Sequence, residues 1–289
     1  MNFRPPLTSP AWHAELHLGF ARDGERTALV ENRHLGPLRV QKALYPEGRP
    51  VCQAILLHPP SGIAGGDHLK ICATVGTGAH AQLTTPGAGK WYRTSGAEAS
   101  QDIELSVAEG ATLEWLPQET IVFNGARARM HTRVSLAADS RFIGWDILCL
   151  GRTASGERFD TGHVDLHYRI ERAGSPLWIE RGSFQGADPM LASPAGWAGA
   201  PVLRHLAGKL PGTLHAQHRT ARTLPPGGAR RWRRARRHRL ARPAGGALPG
   251  RQQRSRAPVV CRAVGHHPPP VLRPAGPCAP NLEYLRKPH

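Results

Sequence analysis

The side chains able to do chemistry gather in four turn-rich segments. Leu113 to Thr120 (Leu-Glu-Trp-Leu-Pro-Gln-Glu-Thr) places two carboxylates, Glu114 and Glu119, five residues apart around a proline. Two carboxylates are the minimum for glycoside hydrolysis, but distance along the chain does not set distance in space. A glutamate beside Trp115 within a strand otherwise belongs to a polar network or to a metal path. His58 to Lys70 (His-Pro-Pro-Ser-Gly-Ile-Ala-Gly-Gly-Asp-His-Leu-Lys) combines rigid prolines with permissive glycines. Asp67 and His68 are of types that bind metals, although an aspartate in such a turn more often caps it or faces water. The segment is not a phosphate cradle, because no Lys-Ser/Thr follows and it runs into an alternating strand instead of a helix.

Thr84 to Arg93 (Thr-Thr-Pro-Gly-Ala-Gly-Lys-Trp-Tyr-Arg) reads as a turn leading into a strand that buries Trp91 or Tyr92. Its alternative is an interaction surface, since aromatic and arginine side chains anchor interfaces. Cys149 to Phe159 contains no nucleophile elbow, so Ser155 reads as a turn residue. Arg152, Glu157, Arg158 and Asp160 there have the pattern of a solvated, salt-linked surface.

These turns must be positioned by strands. Leu69, Ile71, Ala73 and Val75 alternate with polar or smaller residues; Ile103, Leu105 and Val107 do the same, as do Met130, Thr132, Val134 and Leu136, and again Val164, Leu166, Tyr168 and Ile170. A sustained period of two predicts an all-β architecture of half-buried strands. One segment reads differently: Asp139 or Ser140 as the cap of a short helix in which Phe142, Trp145 and Cys149 share a face. No repeat of fixed period is visible. Residues 15 to 203 contain no long Pro/Gly/Ser linker, so one continuous β domain is expected.

Charge divides the chain unevenly. Residues 1 to 203 carry 19 Lys+Arg against 20 Asp+Glu, whereas residues 204 to 289 carry 19 against the single acid Glu283. The formal charge of +17 thus resides in the last part. The sequence shows neither a basic-then-apolar leader nor an apolar run long enough to span a bilayer, and the expectation is a cytoplasmic protein. Cys52, Cys72 and Cys149 have neither disulfide-framework nor zinc-ribbon spacing and read as buried reduced thiols.

The Arg-rich tail, with Trp232 and His238 inside an arginine run, opens the alternative of a basic nucleic-acid-binding protein. A plainer origin fits its composition. Arg, Pro, Ala and Gly supply 51 of these 86 residues, and all four can be encoded by codons of G and C alone. That is the signature of a GC-rich gene read out of frame. Arg273 to Leu285, back-translated with allowed codons and shifted by one base, encodes Gly-Arg-Pro-Ala-Arg-Ala-Pro-Arg-Ile-Trp-Asn-Thr and a stop. The expectation is a frameshift near Leu203, with residues 204 to 289 forming an irregular or disordered, poorly folded tail.

In this order and spacing, His58 to Asp67, Thr84 to Arg93, Leu113 to Thr120 and Leu150 to Glu157 resemble the urease accessory protein UreD (UreH) family, over about residues 14 to 203. The shifted ending also resembles that family's close on Arg-Ile-Trp. The resemblance implies a mostly β fold, a helix-like stack of β-sheets with few short α-helices. It implies a non-catalytic maturation factor that joins UreF and the GTPase UreG on apo-urease and helps deliver nickel through an internal, water-filled passage. It implies no permanently bound cofactor, nickel being in transit. Asp67, Glu114, Glu119, Asp146 and Glu157, in or beside the matching segments, become the candidates for lining that passage. A chain out of frame after Leu203 would lack part of the UreF-binding surface. The remaining class, a β-rich hydrolase, would rest on Glu114 and Glu119.

Overall fold

Strands that alternate apolar and polar residues can bury one face each only by stacking on a second layer. The computed structural model describes residues 11–221 except 211 and 212, with side chains through residue 202. These residues belong to one compact unit, Met1–Thr223. In chain order the strands are β1 His13–Asp23, β2 Arg26–Leu35, β3 Arg39–Leu44, β4 Val51–Leu57, β5 His68–Val75, β6 His80–Thr84, β7 Gly89–Trp91, β8 Ala99–Val107, β9 Thr112–Trp115, β10 Thr120–Val122, β11 Arg127–Leu136, β12 Arg141–Leu150, β13 His163–Arg172, β14 Ser175–Gln185, β15 Val202–Leu210 and β16 Thr213–Ala221. One short helix, α1 Pro189–Ala192, starts where Asp188 accepts a hydrogen bond from the Met190 amide.

The strands form two sheets, β14-β13-β11-β8-β5-β1-β2 and β16-β15-β12-β9-β6-β4-β3, with β7 and β10 making a short third face. From β4 to β13 the chain steps from sheet to sheet, and each strand pairs in parallel with its counterpart one turn earlier. The result is a β-solenoid of about four turns, the mostly β, helix-like stack. Antiparallel hairpins β1–β2, β3–β4, β13–β14 and β15–β16 close its ends.

The winding explains why no repeat shows in the sequence. Ile71 faces Ile103, Ile103 faces Thr132, and Thr132 faces Tyr168, so successive rungs are offset by 32, 29 and 36 residues. What recurs is burial. Leu18, Ala73, Leu105, Val134 and Ile170 stack as one buried column, while Cys52, Ala81, Leu113 and Phe142 stack on the other sheet. Leu105→Ala, in the centre of the first column, is expected to cost about 3 kcal/mol of stability, read from the shift of the urea midpoint.

The expected helix after Ser140 is instead strand β12. Inward positions Phe142, Leu148 and Leu150 are buried with a period of two, which outweighs the helical spacing of Phe142, Trp145 and Cys149. The backbone of β12 is held by β9 on one side and β15 on the other. Asp139 caps nothing helical; its carboxylate accepts from the Gly110 amide, and the Ser140 hydroxyl donates to the Ala137 carbonyl. The three cysteines are free thiols, Cys52 and Cys72 buried and Cys149 half-buried. Of the basic segment, residues 204–210 and 213–221 run as strands β15 and β16, so position 203 falls inside β15. The arginine run around Trp232 and the rest of that tail lie outside the described residues.

Candidate functional site

The five carboxylates singled out in the sequence occupy different places. Asp67 is 4% exposed. Its Oδ1 accepts from the Trp12 amide at 2.9 Å and its Oδ2 from the Ala64 amide at 2.8 Å. Both oxygens are therefore committed to fixing the turn before β5 and the chain entering β1. The glycines of this turn are there for close approach: a Cβ on Gly65 would lie 2.1 Å from the Thr94 hydroxyl and 2.8 Å from the Ala97 carbonyl.

Glu114 points away from the core, since Leu113 and Trp115 take the inward positions of β9. Its two oxygens meet His80 Nε2 and Gln82 Nε2, each at 2.8 Å, forming a clamp between rungs on the outer face. Glu157 closes the short 3₁₀ turn Thr153–Ser155. It accepts from the Arg152 amide and Nε on one oxygen and from Arg152 Nη2 on the other, all at 3.0 Å. Glu157 borders a hollow of about 460 Å³ with Arg158, Asp160 and Asp188, which shares no lining residue with the interior cavities described below. Glu119 is half-buried in the loop that leads into β10, its carbonyl accepting from the Gly89 amide.

The hydrogen bond from Arg152 holds the Glu157 carboxyl below the usual carboxylate range. A lowered folded pKa gives stabilisation that is complete above the unfolded pKa and fades as pH falls through the folded one. Amide exchange at Arg152, corrected for its intrinsic rate, should accordingly stay slow near neutral pH and rise below the ordinary glutamate range. Glu157→Gln should flatten that dependence.

Asp146 stands apart. It occupies an inward position of β12, between Gly144 and Leu148. A cavity of about 400 Å³ is bordered by His58, Gln101, Trp115, Thr120 and Asp146, and a smaller one of about 60 Å³ by Met130, Thr132, Tyr168, Glu180 and Asp146. The two share Gln101, Ile103, Thr120 and Asp146. Polar side chains thus meet inside the solenoid where the columns above and below are apolar. Tyr168 is partly buried against the core, and its phenol is pushed well above its ordinary range, first by loss of hydration and then by the Asp146 and Glu180 carboxylates. It stays a neutral hydroxyl beside two acids.

Tyr168 and Glu180 escaped the sequence reasoning. The available signal was an acid at an inward position: Glu180 falls between Trp178 and Phe184 on the same face of β14, as Asp146 falls between Phe142 and Leu148. Trp91 is buried, and Tyr92 packs edge-on against Phe123 with ring centroids 5.3 Å apart, so both aromatics of that turn help to hold the fold. Among the described residues no three His, Cys, Asp or Glu side chains cluster so as to hold a metal ion. No described helix is long and apolar enough to cross a membrane.

Comparison with known proteins places this arrangement. The family described as UreD urease accessory protein matches residues 13–273. Urease accessory protein UreD of Dechloromonas aromatica (strain RCB) is 75% identical over 197 residues, 68% of this chain and 68% of that one. The UreD of Pseudomonas fluorescens (strain Pf-5) is 58% identical over 200 residues, covering 69% and 71%, and that of Pseudomonas aeruginosa (strain PAO1) is 55% identical over 197 residues, covering 68% and 70%. The chain belongs to the UreD urease accessory protein family and is a urease maturation factor, not a catalyst.

Proposed function

We propose that this chain passes nickel to apo-urease through its interior, by way of Asp146, while held in a cytoplasmic complex with UreF and UreG. The observation that carries the reading is the pair of cavities sharing Asp146, Gln101 and Thr120 inside an otherwise apolar solenoid. Carboxylates, amides and hydroxyls bind a divalent first-row cation weakly enough to release it, which transit requires. Asp146 and Glu180 supply negative charge, and Tyr168 adds an oxygen ligand without charge. Glu119 immediately precedes Thr120, which borders both cavities. Asp67, Glu114 and Glu157 are not placed on the passage, because none of them borders either cavity.

We also propose that the chain is out of frame beyond about residue 203. Pairwise identity as high as 75% extends over 197 of 289 residues, which supports that reading, while the family match running to residue 273 counts against it. Cells lacking their own UreD test both ideas. A frame-repaired gene should restore urease activity, and the present gene should restore much less. Equal rescue by the two would remove the frameshift, and no rescue by the repaired gene would remove the proposed function. Salt-sensitive DNA binding that survives deletion of residues 204 to 289 would favour the nucleic-acid alternative, since the remaining Lys+Arg and Asp+Glu nearly balance.

A further inference from the structure

We infer that His58 is an imidazole station for divalent nickel at the β4 end of the passage, ahead of Asp146. The inference rests on the passage reading above. Cys52, Ala54 and Leu56 are the buried, inward residues of β4, and continued alternation carries His58 to the same face. Pro59 favours this by keeping the residue before it extended. His58 borders the 400 Å³ cavity, and its Nε2 is shut off from solvent with no hydrogen-bond partner.

A buried polar atom without a partner calls for a water or an ion. The Trp115 indole nitrogen, bordering the same cavity, is likewise buried and unpartnered. Two such groups facing one hollow of otherwise mainly apolar lining mark where water or an ion would sit in it. They are not equivalent toward a metal: the indole N–H only donates, whereas a neutral imidazole has a lone pair. Burial lowers the His58 pKa, against a smaller opposing pull from the Asp67 carboxylate, so the ligating, neutral form prevails near pH 7.

Spacing separates this station from Asp146. In the sheet order, β4 and β12 are three strand spacings apart, roughly 14 Å. One ion cannot touch both residues. His58 offers a single imidazole; the neutral side chains of Ser61, Gln101, Gln118 and Thr120 and the Lys90 ammonium also border the cavity. Such a set loads nickel loosely and lets it move on, whereas a three-ligand cluster would retain it.

The test is nuclear magnetic resonance of the full chain labelled with [15N]histidine and titrated with substoichiometric NiCl2. The His58 ring signals are those absent from His58→Gln, or from His58→Asn if the first variant fails to fold. They should broaden selectively with Ni²⁺ and remain unchanged with MgCl2. Unchanged His58 signals under Ni²⁺, meaning a cavity occupied by water only, overturn the inference, and so does equal broadening by both salts. In frame-repaired chains, His58→Gln should slow nickel-dependent urease activation by about tenfold. Normal activation by His58→Gln alongside failure of Asp146→Leu sinks the station but spares the passage. Normal activation by both variants sinks the passage itself.

Discussion

Replacing Asp146 by leucine in the frame-repaired chain should lower nickel-dependent urease activation by about tenfold or more without unfolding the protein. The side chain faces a cavity, so an apolar residue of similar size can occupy its place. Asp146 is half-buried and interacts with a neighbour, so the urea midpoint is measured alongside to separate lost activation from lost stability. What changes is the junction between the two cavities, which keeps Gln101 and Thr120 but loses its carboxylate. Tyr168 should report this directly. With the Asp146 carboxylate gone, one of the causes raising the phenol pKa disappears, and ultraviolet titration should place it nearer the ordinary tyrosine range. Asp146→Glu should retain part of the activity. Full activation by Asp146→Leu would exclude the carboxylate from the route.

Asp67→Ala should fail in the opposite manner. Two amides, those of Trp12 and Ala64, lose their acceptors in a site where Asp67 is 4% exposed. Two hydrogen bonds to a charged acceptor put the loss at about 3 kcal/mol. The urea midpoint should fall accordingly, and Asp67→Asn, which retains one acceptor oxygen, should fall less. Any loss of urease activation would then follow stability and be recovered at lower temperature. An Asp67→Ala chain of native stability that cannot activate urease would return Asp67 to the nickel route.

The contrast between Asp67 and Asp146 shows what was legible in the sequence. Strands β5, β8, β11 and β13 announced themselves by alternation, because one face of each is packed and the other is not. β12 did not, because Gly144 and Asp146 interrupt its inward face while Phe142, Trp145 and Cys149 mimic a helical stripe. The solenoid winding was invisible to periodicity, since the rungs differ in length; the resemblance of four turn segments supplied it. Asp67 stood out among glycines and prolines, and what made it conspicuous was its structural duty. Glu180 and Tyr168 were inconspicuous. Their meeting with Asp146 depends on β12 of one sheet facing β13 and β14 of the other, which no local pattern encodes.

Transfer of radioactive nickel measures the central claim most directly. Purified apo-urease is incubated with UreF, UreG and the frame-repaired chain in 63Ni²⁺, and the metal incorporated into urease is counted alongside enzyme activity. The passage reading predicts that Asp146→Leu lowers incorporated nickel and activity in parallel while the accessory complex still assembles on apo-urease. Normal 63Ni incorporation with the Asp146→Leu chain in place would contradict it, leaving the solenoid as a scaffold past which the metal travels by another route.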